Sequence, residues 1–391
     1  MLADADVETA VGDLSTATAV ANPTAEAGYL HSFFADNLFE THNGWQVGLG
    51  DSNAIVDALS GKRGLRGRVA RAALDAAKMR RLDVQRSLEL QVKAQFVAAA
   101  TAKAMLQVSG DIRESAERTF LLNQVRFARG AISEVDLART ETARLEAEQS
   151  VDTAVQTLVQ AKVALAFLVG QRSPAIGFDV DPAEIRFRVP AALAGATEAS
   201  LVETARRARP DLLGGRDQST RAAAAARLAR RSRFPDLGIG VQYQQQGSTG
   251  GGAAGAQPIS PPTVQISLSG SIPLFYQQQG EIRRADADLA AHQALVAKTE
   301  AQVVSDVEAA FAGFQSARVL VARMEGRLLD RARRARELTA LQYEKGAASL
   351  LEYLDAQRTF SAVSAEYWQD LANYWNAVFQ LEAATATELS S

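Results

Sequence analysis

Two carboxylates, Glu352 and Asp355, follow the stretch Gly346-Ala-Ala-Ser349, one helical turn apart on one face of any helix that starts there. Carboxylates so placed can cap a helix and complement its dipole, or they can present negative charge that attracts cations. A near copy lies upstream, where Gly130-Ala-Ile-Ser133 precedes Asp136, with Phe127 matching Tyr343 and Arg129 matching Lys345 at an offset of 216 residues. No other constellation of reactive residues appears. There is no nucleophile–base–acid set, and the Gly-rich stretch 247–255 lacks the Lys and helix start of a phosphate loop. The absence of Cys excludes disulfides, thiol chemistry and zinc–thiolate sites. His31, His42 and His292 are scattered and read as surface or lumen residues. The expectation is therefore no enzyme, no cofactor and no metal site. A net charge of −3 gives no global field for nucleic acid, so none is expected as a partner. Basic runs at 228–234 and 330–338 read as solvated helix faces, the first near a membrane rim where Arg could meet headgroup phosphates.

The elements that hold these carboxylates follow from their neighbours. Gly130 and Gly346 stand where a helix must stop, because glycine takes the left-handed C-cap conformation cheaply. Ser133 and Ser349 are N-caps, and Asp136 and Glu352 stand at the third helical position to close a capping box, Glu352 being the better match. Each stretch is thus a four-residue turnaround between antiparallel helices. The arms are long: 68–128, interrupted only by VSGD at 108–111, and 282–344, weakened only at Gly313 and Gly326. About 60 helical residues would span roughly 90 Å, which predicts coiled-coil-like hairpins. Leu350, Leu354, Phe360, Tyr367, Leu371, Tyr374, Val378 and Leu381 recur near a 3.5-residue period on the returning arm. Further matches, Arg68-Leu74 with Arg283-Leu289 and Pro23 with Pro235, run at offsets of 215 and 212 and make the chain two tandem copies of one unit.

Between the helices lie stretches of period-2 alternation. Leu237, Ile239, Val241 and Tyr243 alternate with Gly238, Gly240, Gln242 and Gln244; Val264, Ile266, Leu268 and Ile272 alternate with Gln265, Ser267, Ser269 and Ser271. The first copy echoes this at Ala27, Tyr29, Trp45, Val47 and Leu49. The pattern fits a sheet packed on helices, but the polar face holds Gln, Ser and Gly with hardly a charge, which suits a water-filled lumen. Strands of about 9–11 residues can cross a bilayer at a tilt. Four of them cannot close a barrel, so membrane strands would require several copies to share one. No run of about 18 apolar residues predicts a transmembrane helix. The opening MLADADVETAVGDL has no basic start or apolar core, so no signal peptide is read there.

The stretches RPDLLGGRDQSTRAAAAARLARRSRFPDLGIGVQY, IPLFYQQQGEIRRADADL, YEKGAASLLEYLDAQRT and YWQDLANYWNAVFQLEAA resemble TolC-type outer membrane factors, closest to the cobalt-zinc-cadmium efflux branch. The resemblance covers nearly the whole chain and implies a mainly α fold with a membrane β-barrel portion, barrel and helical tunnel being completed by a homotrimer. It assigns 1–22 and 210–233 to lead-in helices, 23–58 and 234–274 to strand pairs (with a Gly-rich loop at 247–262), and 170–209 to an equatorial linker. It assigns 60–169 and 280–386 to hairpins with tips at 129–133 and 345–349. Implied partners are a periplasmic adaptor, an inner-membrane RND-type transporter and outer membrane lipid; the implied location is the outer membrane with a periplasmic extension. Gly130, Ser133, Gly346 and Ser349 would form the adaptor-docking tips. Asp136, Tyr343, Glu352 and Asp355 would form the periplasmic entrance, with three copies of the last two making a ring of carboxylates. The basic residue that some members place two after the glycine is Ala348 here, which removes that latch. The competing readings are a soluble coiled-coil scaffold and the duct of a type I protein secretion system.

Overall fold

Local signals set the elements of the computed structural model, which describes residues 1–31, 41–51, 57, 60–171, 177–248, 262–270 and 274–390. In order these are α1 (Leu2–Thr18), β1 (Thr24–His31), β2 (Thr41–Gly50), α2 (Lys62–Ala128), α3 (Glu134–Leu168), α4 (Glu198–Ala208), α5 (Pro210–Arg231), β3 (Leu237–Ser248), β4 (Thr263–Gly270), α6 (Gln279–Arg323), α7 (Leu329–Glu344) and α8 (Leu350–Thr385). A π-helical turn, Met324–Leu328, joins α6 to α7. Helix, two strands and a long hairpin thus occur twice. Most of the expected loop 247–262, with Ser271 and Ile272, lies outside the described residues, as do the side chains of His31 and His42.

Two features depart from the reading of the arms. VSGD does not interrupt α2, which runs unbroken for 67 residues. One glycine in a helix costs only about 1 kcal/mol, and tertiary packing overrides it: Ser109 is buried, its hydroxyl 3.3 Å from that of Ser150 on α3. Gly326 does mark a defect, since the π-helical turn is centred on it. In addition, α3 contains an 18-residue window of mean hydropathy 1.2, apolar enough by composition to cross a membrane. It passes by length and average composition alone, without an unbroken run of 18 apolar residues. The helix keeps Asp152 and Lys162, and its apolar residues Val155, Val159, Val163 and Phe167 form an exposed stripe along one side.

The chain forms two compact units. The first, Met1–Arg81 with Asp211–Thr299, holds an antiparallel sheet of order β1-β2-β3-β4. Its register puts Leu49, Val241 and Ile266 in one row, and Val47 opposite Tyr243, which opposes Val264. Because alternate residues share a face, one side carries this apolar set and the other carries Gln46, Gln242, Gln244, Gln265 and Ser267. Among the described residues nothing covers the apolar side: Leu49 is 62% and Ile266 76% exposed. On the polar side glycine makes room, since a Cβ at Gly240 would lie 2.7 Å from the Ser267 hydroxyl. At the foot of the sheet the buried Lys62 ammonium donates to Phe234 O and Asp236 Oδ1, both at 2.7 Å. His292, on α6, is half-buried beside Arg221 and Asp288.

The second unit, Leu82–Pro210 with Glu300–Ser391, is built on α8. Of the eight residues read as its seam, all but Leu354 are buried. Tyr353, its neighbour, takes that place, because the buried seam runs 350, 353, 357, 360, 364, 367 in alternating steps of three and four. Tyr374 is fully buried between Phe187 and Phe314, with centroids 5.2 and 5.9 Å away, and its hydroxyl donates to Arg188 O at 2.7 Å. Burial pushes that phenol up to about 12. Trp375 Nε1 donates to Ile185 O at 2.7 Å, so two adjacent aromatics pin the irregular segment that precedes α4.

Buried Glu382 anchors the C-terminal segment. Its Oε1 accepts from the amides of Leu389 and Ser390 at 2.8 and 2.6 Å, and its Oε2 from Lys93 Nζ at 2.6 Å. Burial raises the carboxyl pKa, but Lys93, Ser390 and Leu389 outweigh it and hold it below the ordinary value. A depressed acid stabilises the fold above its unfolded pKa and loses that contribution as pH falls through the folded one. Glu382→Gln is therefore expected to cost about 1–3 kcal/mol at neutral pH. The gap in melting temperature between variant and wild type should close as the pH is lowered below the usual Glu range.

Candidate functional site at the hairpin tips

Each tip is built from backbone chemistry that its sequence dictates. Gly130 and Gly346 take φ of +70° and +75°. The helix ends are Schellman motifs: Gly130 N donates to Phe127 O and Ala131 N to Arg126 O, while Gly346 N donates to Tyr343 O and Ala347 N to Gln342 O. Nothing lies within 4 Å of a Cβ added at either glycine, so any substitution is opposed by backbone conformation alone.

The following helices start differently. Ser349 Oγ accepts from Glu352 N at 3.2 Å, and Glu352 Oε2 accepts from Ser349 N at 2.7 Å, a complete capping box. Ser133 Oγ accepts from Asp136 N at 3.1 Å, but Asp136 Oδ2 reaches only the Ser133 hydroxyl, at 2.8 Å. Aspartate is one methylene too short to reach the backbone amide. The amide and then the hydroxyl of Ser349 hold Glu352 below the ordinary carboxylate range, although it is fully exposed. Asp355 is exposed one turn further along α8.

Tyr343 is buried, and Asp136 is not its partner. Tyr343 Oη donates to Asn123 Oδ1 at 2.7 Å, while Asp136 stays with Ser133 and Arg139. Tyr343 stacks on Tyr353, centroids 5.3 Å apart and 15° from parallel. The Tyr353 hydroxyl lies 2.9 Å from Ser115 Oγ and accepts from Thr119 Oγ1 at 3.0 Å. Arg126 sits over the Tyr343 ring at 5.1 Å and donates to Glu344 O at 3.0 Å, a cation at the C-terminal end of α7. These residues bolt the first hairpin to the second just behind the tips. Asn123, Arg126 and Tyr353 were not singled out from the sequence. The available signal was an Asn within an otherwise apolar helical stripe and a second Tyr ten residues after the first.

No curated protein matches the chain in sequence. Solved structures do match its fold. The Campylobacter jejuni CmeC outer membrane channel aligns with 100% of this chain and 83% of its own, at TM-score 0.79 and 16% identity. A membrane protein from Pseudomonas aeruginosa aligns with 100% of this chain and 87% of its own, at TM-score 0.80 and 20% identity. The open state of the Neisseria gonorrhoeae MtrE outer membrane channel covers 100% of this chain and 86% of its own, at TM-score 0.79 and 19% identity. The fold is that of TolC-like channels, mainly helical with few strands. With residues 42–171 and 201–387 matching the model of outer membrane efflux proteins, the chain belongs to that family.

Proposed function

We propose that this protein is the outer membrane channel of a tripartite efflux system, a passive exit duct for an inner-membrane RND-type transporter reached through a periplasmic adaptor. The observation that carries the reading is the sheet of the first unit: an apolar face that no described residue covers, a polar face of Gln, Ser, Thr and Gly whose one acid among the described strands is Glu26, and outer strands with an edge unpaired among the described residues. In a homotrimer, twelve strands form the barrel, the apolar face meets lipid and the polar face lines the lumen. A soluble scaffold gains nothing from an apolar sheet face left in water. The cargo is heavy-metal cations, as in the cobalt-zinc-cadmium branch, or drugs. Energy comes from the transporter, and the duct contributes shape and charge.

The tips around Gly130, Ser133, Gly346 and Ser349 dock the adaptor, and the entrance is lined by Asp136, Glu352 and Asp355, with Tyr343 buried behind them. Glu352 and Asp355 from three copies form a ring that draws cations and narrows the mouth. In planar bilayers, replacing both with Ala is expected to raise single-channel conductance and weaken block by divalent cations. The fold should lose little beyond the capping contact of Glu352 with Ser349. Wild-type conductance and cation block in the double variant would reduce both residues to helix caps.

A further inference from the structure

We infer that α3 of one copy of this chain docks on α6–α7 of the next along a seam that is ionic near the tips and apolar farther from them. The inference rests on the trimeric reading above and specifies its interface. In the second unit the helices follow one another in contact. The residues of α3 bear on α2 through Gln95 and Ala161 O, 3.1 Å, and through Arg144 over the Phe120 ring, 5.2 Å. Contact between α2 and α8 runs through Tyr353, and contact between α8 and α7 through Arg336 over the Phe360 ring, 4.2 Å. The outer faces of the first and last members, α3 and α6–α7, are left exposed.

Those two faces are complementary. On α3, Glu141, Glu148, Asp152, Val159, Val163 and Phe167 recur in steps of seven or four residues and so share one stripe, acidic toward the tip and apolar beyond. Phe167 is 80% exposed. On the other arm, Arg331, Arg327, Arg323, Val319, Ser316 and Ala312 recur in steps of four or three. All three arginines are exposed, and among the described residues none has an ion-pair partner. Gly313 is open, with nothing within 4 Å of an added Cβ. Glu148 also meets Arg144 of its own helix at 2.7 Å.

The register fits as well. Arg126 on Glu344 O sets the two tips level. Glu148 stands fifteen residues after Ser133, and Arg331 fifteen before Gly346; Asp152 and Arg327 stand nineteen from the same points. Val163 and Ser316 stand thirty away, and Phe167 and Ala312 thirty-four. At equal rise per residue, acid meets base near the tips and bulky meets small farther along. Charges flanking an apolar seam select partner and register in this way.

The absence of cysteine makes the test direct. Asp152→Cys with Arg327→Cys, and separately Val163→Cys with Ser316→Cys, should give covalent dimers and trimers when the full chain is oxidised in membranes, reversed by reductant. Asp152→Cys with Arg334→Cys, about 10 Å out of register, should stay monomeric on the same gel. Reversing Arg327 and Arg331 to Glu should lose the trimer, and adding Glu148→Arg with Asp152→Arg should restore it. A detergent-extracted wild-type trimer in which either registered pair fails to cross-link overturns the seam and leaves the trimer standing. A monodisperse wild-type monomer that keeps its strands overturns both.

Discussion

Val241→Arg is expected to lower the stability of the membrane-inserted barrel by about 2–4 kcal/mol per copy. Val241 sits mid-strand in β3, flanked by Leu49 and Ile266 on the face that no described residue covers. In the proposed assembly that face is solvated by hydrocarbon, where a guanidinium gives up its hydration and finds no counter-charge. Gln242→Arg, one residue along the same strand, points the same group into the water-filled lumen and should cost far less. Urea unfolding of the two variants in lipid vesicles separates these cases. Equal tolerance at 241 and 242 would mean that the sheet is covered by protein or water on both sides.

Tyr343→Phe is the second large effect. Among the described residues the Tyr343 hydroxyl is the only partner of the buried Asn123 amide oxygen, and Asn123 Nδ2 already has none. Removing the hydroxyl strands the whole amide in a buried site, at about 1–3 kcal/mol. That energy comes out of the bolt between the hairpins, so the variant duct should spend more time open, with raised single-channel conductance. Asn123→Leu combined with Tyr343→Phe removes both polar groups and should recover part of the stability without restoring the closed entrance. Wild-type stability and conductance in Tyr343→Phe would show that the hairpins are held elsewhere, for example by Tyr353 on Ser115 and Thr119.

How much of this could be read from sequence depended on how far apart the interacting residues lie along the chain. The tips were legible because Gly346, Ser349 and Glu352 act on one another within six residues, and the Asp136–Glu352 difference of one methylene already implied a weaker box at the first tip. The alternation of Val241 and Gln242 gave the faces of β3, since a strand's period is local. It could not give Leu49 and Ile266 as the neighbours of Val241, because pairing is chosen between segments. The bolt was illegible for the same reason: Asn123 and Tyr343 are 220 residues apart. The continuity of α2 through VSGD was lost to an argument from propensity alone, which the Ser109–Ser150 contact overrules.

The strand order β1-β2-β3-β4 places the two outer strands in the first and last strand positions of the sequence, each with one edge unpaired among the described residues. A single chain can form its helices by local contacts in microseconds to milliseconds, but in the proposed homotrimer it cannot finish its barrel alone. Completion of the strand region is therefore a collision between molecules, and its rate rises with protein concentration while that of helix formation does not. Between the two events each molecule carries adhesive strand edges and an apolar face. How long it spends there, more than how stable the finished barrel is, sets the fraction lost to aggregation.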